Sequence, residues 1–490
     1  MADISNNSIQ SINEDDKTCL SFAEKFTYAF GQMAVSLSPA LISSWLIYFY
    51  TGRTTPDGQT IFLVSAMAMS LGGLIPRFIE AVAEPIVGHL SDKWNFRMGR
   101  RIPWVAFGTP FLMLFSVIIW FPPDAAGAGR LYFNLFGLDV TTNFMYLLFT
   151  HTGFWVLYTA VVAPYLSLLP EITPYNNERI KVSEYMAYSD VIGTALGSLG
   201  LGFMISAFAG GLRIGSFALD NAYQVSGLFI GLFFAISFYV SIWKVREKPF
   251  DKSKAVGFKF SESVVETFKN PTFPAYVTAS AAIRMGVDVI LAAMPFLVAR
   301  LMGLSEGLAG ALQGVIVLGA AFLFPLVSHL AEKHGKKKIF LLGLIWFVGC
   351  LVLLAMVKHF PLFGYPVAGV ASLLGYHLTA SWVSFSHAMV TLALTAFAVS
   401  IVFVLQRPIL TDVIDYDEKL TTYRREAMYN GMEGLISKPA SGIAYFIVPL
   451  LNKYLGATAE QPMGILAAPI VAAAILFVGW WFFRPYPIEK

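Results

Sequence analysis

The chain has 490 residues, of which 56% are apolar and 13% charged, and its mean hydropathy is +0.64. So few polar side chains cannot cover the surface of a water-soluble protein of this length, so the composition excludes a soluble enzyme or binding module and places the chain in lipid. The formal charge of +3 is small and sits in the loops, which argues against nucleic acid as a partner. The two cysteines, Cys19 and Cys350, supply neither a disulfide framework nor a thiolate metal site.

Residues 1–20 are polar and acidic, without the basic start or apolar stretch of a cleaved signal. Apolar runs long enough to cross about 30 Å of hydrocarbon follow at 28–51, 62–90, 104–121, 143–168, 185–209, 223–243, 273–302, 308–330, 339–357, 387–411, 427–451 and 464–483. The expected fold is therefore an all-α membrane protein of twelve transmembrane helices in two six-helix bundles. An N-terminal tail (1–27) precedes the first bundle (28–243); a charged linker (244–272) leads to the second (273–485) and a short tail (486–490).

Segments 91–103, 171–184, 244–272, 331–338 and 412–426 hold 20 of the 34 lysines and arginines, whereas the alternate loops hold about one each. This bias predicts a multi-pass protein of the plasma (inner) membrane with these segments and both termini in the cytoplasm. Segment 359–386 is apolar and long, yet a thirteenth span there would put the termini on opposite sides. It reads as an interfacial extracellular loop with a short helix.

The halves are related in sequence. GHLSDKWNFRMGRR (Gly88–Arg101) and SHLAEKHGKKK (Ser328–Lys338) stand about 240 residues apart, after the second and eighth spans. Parallel halves place a binding site between them near the midplane, around which they rock. The repeated acids Asp92 and Glu332, with the basic residues Arg100 and Arg101, are either gating charges that pair across the halves or simple topogenic charges.

An ionisable side chain at the centre of a span costs roughly 2.5–3.5 kcal/mol on insertion scales, so each one needs a partner or a wet cavity. In RFIEAVAEP, Glu80 and Glu84 are four residues apart and share a helix face with Arg77. Two converging carboxylates are a natural site for a cation or proton, and Pro85 just beyond frees a backbone carbonyl that can add to it. One arginine cannot balance both. Lys438, in the eleventh span, is the expected second cation and coupling residue if it faces them. Arg284 and Asp288, four apart in the seventh span, are either a self-satisfied pair or substrate contacts. For Asp190, Arg407 and Glu433, a helix-end or snorkelling role stands beside a functional one. Gly193, Gly197 and Gly200 read as a stripe for close helix approach. The chain has no nucleotide-binding loop, HExxH or dinucleotide fingerprint, so no enzyme is expected.

Several motifs together resemble the glycoside–pentoside–hexuronide cation symporters of the major facilitator superfamily, the melibiose-permease-like carriers. They are KFTYAFGQ before YFYT, RFIEAVAEPIVGHLSD followed by RMGRRIPW, APYLSLLPEIT, and TDVIDYDE followed by RREAMYNGMEGLISK. The resemblance implies that Glu80 and Glu84 replace two cation-binding aspartates, that Thr159 assists them, that Arg77 and Lys438 act in coupling, and that Arg424 and Glu426 belong to a cytoplasmic gating segment. It also exposes a loss. Where the family's sugar-binding positions carry two aspartates, a tryptophan and an arginine, this chain has Ser36, Val162, Leu166 and Ala187.

The remaining expected cavity residues are Tyr28, Gln32, Trp155, Tyr158 and Gln406, with Arg284 and Asp288. The expected function is symport of a glycoside or other sugar-derived solute, driven by Na+ or H+ and working by alternating access. A carrier of lysophospholipid-like amphiphiles, a proton-coupled exporter and a non-transporting membrane scaffold are the alternatives. The expected partners are a small-molecule substrate and the bilayer. The protein is expected to be monomeric, with no tightly bound cofactor; if the coupling ion is Na+, Glu80 and Glu84 are its metal ligands.

Overall fold

The computed structural model describes residues 20–55, 59–93, 96, 98–172, 176–245, 267–421 and 426–488. Arg424, most of the 244–272 linker and the side chains of Asp92 and Glu426 lie outside the described residues.

Span 1 is the helix Phe22–Gly52, and its start is set by Ser21. The Ser21 hydroxyl accepts from the Glu24 backbone while the Glu24 carboxylate accepts from the Ser21 N–H, so two otherwise orphaned donors are satisfied. Spans 2, 3 and 4 are Ala66–Lys93, Ile102–Ile118 and Thr142–Ile172. Span 5 is broken into Asn176–Ala195 and Leu201–Ala207 by a π-helical turn, Leu196–Gly200; span 6 is Ala222–Trp243. In the second half, span 7 is Thr272–Pro295 continued by a π-helical turn to Leu301, followed by spans 8 (Leu308–His334), 9 (Lys336–Ala355), 10 (Ala380–Thr421), 11 (Glu426–Leu455) and 12 (Met463–Phe483).

Among the described residues, eleven helices are long and apolar enough to cross a bilayer. Ile102–Ile118, apolar but only 17 residues long, takes the third position. The 359–386 segment contains a 10-residue helix, Gly364–Leu373, too short to span, and span 10 begins earlier than its hydropathy suggests, at Ala380.

The connections alternate between two faces. One carries the basic segments. The other carries three short antiparallel ribbons, Arg53–Thr54 with Thr60–Ile61, Leu131–Leu135 with Leu138–Thr141, and Leu212–Ile214 with Phe217–Leu219. We call these the basic face and the hairpin face.

The two halves are joined along spans 2 and 11 and at the hairpin face. A Cβ on Gly73 would lie 2.4 Å from the Cβ of Tyr445, so glycine is what lets these helices meet; beside it the Ser70 hydroxyl donates to the Phe446 carbonyl at 2.9 Å. Spans 5 and 8 touch backbone to backbone, and a Cβ on Gly202 would lie 2.4 Å from the Gly307 carbonyl oxygen. Of the expected glycine stripe, Gly193 and Gly197 do pack against span 1, while Gly200 meets nothing within 4 Å.

At the hairpin face, Glu306 of the second half is held by three donors of the first. Its Oε1 accepts from the Tyr48 hydroxyl (2.8 Å) and the Thr54 N–H (3.1 Å), and its Oε2 from the Tyr223 hydroxyl (2.8 Å). Arg300 Nη2 donates to the Gly52 carbonyl at 2.6 Å, and Tyr48 packs edge-on against Phe296. At the basic face, the ion pairs seen run within one half, Arg100 and Arg101 to Glu171 and Lys336 to Asp412. Glu332 is exposed there.

Candidate functional site at the half interface

Span 2 presents Arg77, Glu80 and Glu84 toward span 11. Glu80 is 1% exposed, and its two oxygens meet different cations: Oε2 lies 2.5 Å from Arg77 Nη1, and Oε1 lies 3.0 Å from Lys438 Nζ. The same ammonium lies 2.9 Å from Glu84 Oε2. Thr159, from span 4, donates its hydroxyl to Glu80 Oε1 at 3.4 Å and accepts from Lys438 at 3.5 Å. Four charges from two halves thus balance. The sequence leaves one glutamate without a counter-charge inside span 2, and Lys438 supplies it from the other half. At an effective dielectric of ~20, each contact near 3 Å is worth about 5 kcal/mol before screening, and Glu84, with 32% of its side chain exposed, is the member that water screens most.

Arg77 is held from behind. Its guanidinium carbon sits 3.8 Å from the centre of the Trp155 ring, a cation–π contact. The Trp155 N–H donates to His151 Nε2 at 2.7 Å, and His151 Nδ1 meets the Gly72 carbonyl at 2.8 Å, so the imidazole is neutral with its proton on Nδ1. His151 escaped sequence reasoning because nothing in its neighbourhood distinguishes a buried support from a packing residue. Gly434 escaped it too: a Cβ there would lie 2.7 Å from Glu84 Oε2, so the glycine clears the space that carboxylate occupies.

The structure divides the expected substrate residues into three groups. Tyr28 and Trp155 are not at a cavity surface. Both are buried; Tyr28 stacks on Tyr165 and the two exchange hydroxyl-to-carbonyl hydrogen bonds of 2.7 Å. Gln406 belongs to a separate cluster in the second half, where it donates to Glu433 Oε1 (3.0 Å) together with Tyr276 (2.8 Å) and Ser280 (2.9 Å). Glu433 is therefore buried and bonded, with Arg407 3.7 Å from its other oxygen.

The third group is divided between the two halves. Arg284 Nε donates to Ser441 Oγ (3.1 Å) and lies 3.2 Å from buried Asp288, while 46% of its side chain stays accessible. The Tyr158 hydroxyl donates to the Val35 carbonyl of span 1 at 2.7 Å. Gln32 and Ser36 of span 1 both donate to Asp190 Oδ1 of span 5, Gln32 at 2.9 Å. Asp190 is thus part of the interior and not a helix-end charge. Two cavities, of 710 and 580 Å³, lie toward the hairpin face and do not include the charged cluster.

The glutamates and Thr159 offer oxygen ligands, which suit a hard cation or a proton. Among the described residues no three His, Cys, Asp or Glu side chains converge as a metal cage.

The same arrangement of spans recurs in known carriers. A solved D-xylose–proton symporter superposes with a TM-score of 0.62 over 96% of this chain and 98% of that one, at 13% identity, a likeness of fold. The isoprimeverose transporter of Lactiplantibacillus pentosus is 22% identical over 96% of this chain and 91% of its own length. The sodium-dependent lysophosphatidylcholine symporter 1 of Mus musculus is 21% identical over 97% and 87%. A family profile described as "MFS/sugar transport protein" matches residues 27–490. With its membrane helices in two bundles and its ion pairs spanning them, the chain belongs to the MFS/sugar transport family.

Proposed function

We propose that this protein is a symporter that carries a glycoside or other sugar-derived solute inward across the plasma membrane, driven by Na+ or H+. The observation that carries this reading is Lys438, which reaches from one half to bridge both glutamates of the other at 3.0 and 2.9 Å. A coupling cation arriving at Glu80 and Glu84 takes over the role of the ammonium, so Lys438 is released and the contact between spans 2 and 11 changes. Ion binding and the geometry of the halves are thereby one event, which is what alternating access requires.

The charge bias supports a basic face in the cytoplasm. The latch of Glu306 and Arg300 then closes the outer side, and the halves are free to part on the inner side. The protein acts as a monomer, with the site between its own halves.

The test is uptake into proteoliposomes under imposed Na+ and H+ gradients, with a panel of glycosides and lysophosphatidylcholine as solutes. Glycoside accumulation that follows one gradient and collapses with an ionophore supports the reading. Flux of no solute under either gradient defeats it.

A further inference from the structure

Behind the ion cluster stands a series of contacts that the exchange of cations at Glu80 does not itself require. Arg77 is 3% exposed, and among the described residues its one hydrogen bond goes to Glu80; its Nε is buried with no partner. The guanidinium is otherwise held by the face of Trp155, 3.8 Å away. Trp155 is fixed through its N–H, which donates to His151 Nε2 at 2.7 Å, and His151 is fixed through Nδ1 on the Gly72 carbonyl at 2.8 Å. His151 is wholly buried, and neither of its nitrogens is left over.

Packing alone does not account for this. An apolar residue at 151 with phenylalanine at 155 would fill similar space with no polar group to satisfy, whereas a buried imidazole and a buried indole N–H each carry a desolvation cost that only a matched bond offsets. The pair fixes the direction of the indole, and the indole lies over the cation that neutralises Glu80 from its own helix. Two attractions therefore act on the Arg77 guanidinium, the Glu80 oxygen at 2.5 Å and the Trp155 ring. A cation reaching Glu80 competes with Arg77 for that carboxylate, so the more firmly the ring holds the guanidinium, the weaker the competition. An N–H that donates to an acceptor leaves its ring richer in electrons, which strengthens the attraction for a cation on its face.

We infer that His151 is a positioning residue of the coupling-ion site: by accepting the Trp155 N–H it holds the indole against Arg77, and so sets how tightly Glu80 binds the cation. The inference rests on reading Glu80 and Glu84 as the ion site. The second half also touches His151, whose ring centre lies 5.7 Å from that of Tyr445 in span 11, so a role through Trp155 is to be told apart from one through the contact of the halves.

The experiment titrates the purified full chain with NaCl against choline chloride at constant ionic strength, and separately with protons, and reads the midpoint of the thermal shift that the cation induces. His151→Leu should raise the midpoint concentration of the coupling ion roughly 3–10-fold, the scale of a buried cation–π contact. His151→Gln, which keeps an acceptor for the indole and a donor for the Gly72 carbonyl, should stay within about twofold of wild type. In a Trp155→Phe background, whose ring has no N–H, His151→Leu should shift the midpoint by less than about twofold further. An unchanged midpoint in a His151→Leu protein that merely unfolds at lower temperature overturns the inference. So does an equal loss with and without the Trp155 N–H, which would place the effect at Tyr445. If His151→Leu does not fold, Trp155→Phe decides alone: it keeps a weaker ring beside Arg77 and should raise the midpoint by a similar factor, and wild-type affinity there overturns the inference. A wild type that responds to neither Na+ nor protons defeats the ion-site reading itself, a result distinct from a responsive wild type with an indifferent His151.

Discussion

Replacing Glu306 with glutamine removes one charge and keeps the shape of the side chain, which isolates what the carboxylate does at the hairpin face. All three of its donors, Tyr48, Tyr223 and the Thr54 N–H, belong to the other half, so opening that face breaks all three bonds. Hydrogen bonds to a charged acceptor contribute about 1.5–3 kcal/mol and neutral ones about 0.5–1.5, so the substitution forfeits roughly 1 kcal/mol per bond. Because Glu306 is half-buried and is rehydrated on opening, a net loss of about 2 kcal/mol is a fair value, an increase of roughly 30-fold in the open-to-closed ratio at the hairpin face. Spin labels on cysteines placed at Phe136, 98% exposed at a hairpin tip of the first half, and at Glu460, exposed on the second, report the separation. Cys19 and Cys350 are replaced beforehand. The variant should add a longer-distance population that the wild type lacks. An unchanged distance distribution would show that the carboxylate does not hold this face shut.

Three other perturbations follow from the same contacts. Lys438→Ala leaves Glu84 without a cation and Glu80 with only Arg77, so gradient-driven accumulation should vanish and the ion-free protein should lose about 3 kcal/mol of stability; accumulation at wild-type level would remove Lys438 from coupling. Glu80→Gln should destabilise more than Glu84→Gln in thermal unfolding, because Glu80 is buried between two cations whereas Glu84 is partly wetted; the reverse order would contradict the burial argument. Lys336→Ala, which removes a partly exposed pair with Asp412 within one half, should cost no more than about 1 kcal/mol and leave uptake intact.

How far the site was legible depends on the range of the information. Arg77, Glu80 and Glu84 share a helix face by their spacing alone, and Lys438 is conspicuous as a cation in an apolar run, so the residues of the ion cluster can be named from the chain. That they meet at 3 Å, over 350 positions apart, is a matter of how spans 2 and 11 are rotated against each other, and no local pattern encodes it. Aromatic residues mislead for the same reason. Tyr28 and Trp155 have the composition of cavity walls, yet Tyr28 is spent on Tyr165 and Trp155 on Arg77. For Asp190 the sequence leaves a helix-end and a functional role open, because its place against Gln32 and Ser36 follows from the packing of span 5 on span 1.

By itself the sequence determines the solvent, the approximate spans and the two related halves, because lipid insertion responds to sums of side-chain transfer energies over about twenty neighbouring residues. Tertiary structure alone decides which intramembrane charges are partners and which aromatic rings are packing. Those outcomes depend on helix rotation and on close approaches such as Gly73 against Tyr445, where contact is made between residues the chain keeps far apart.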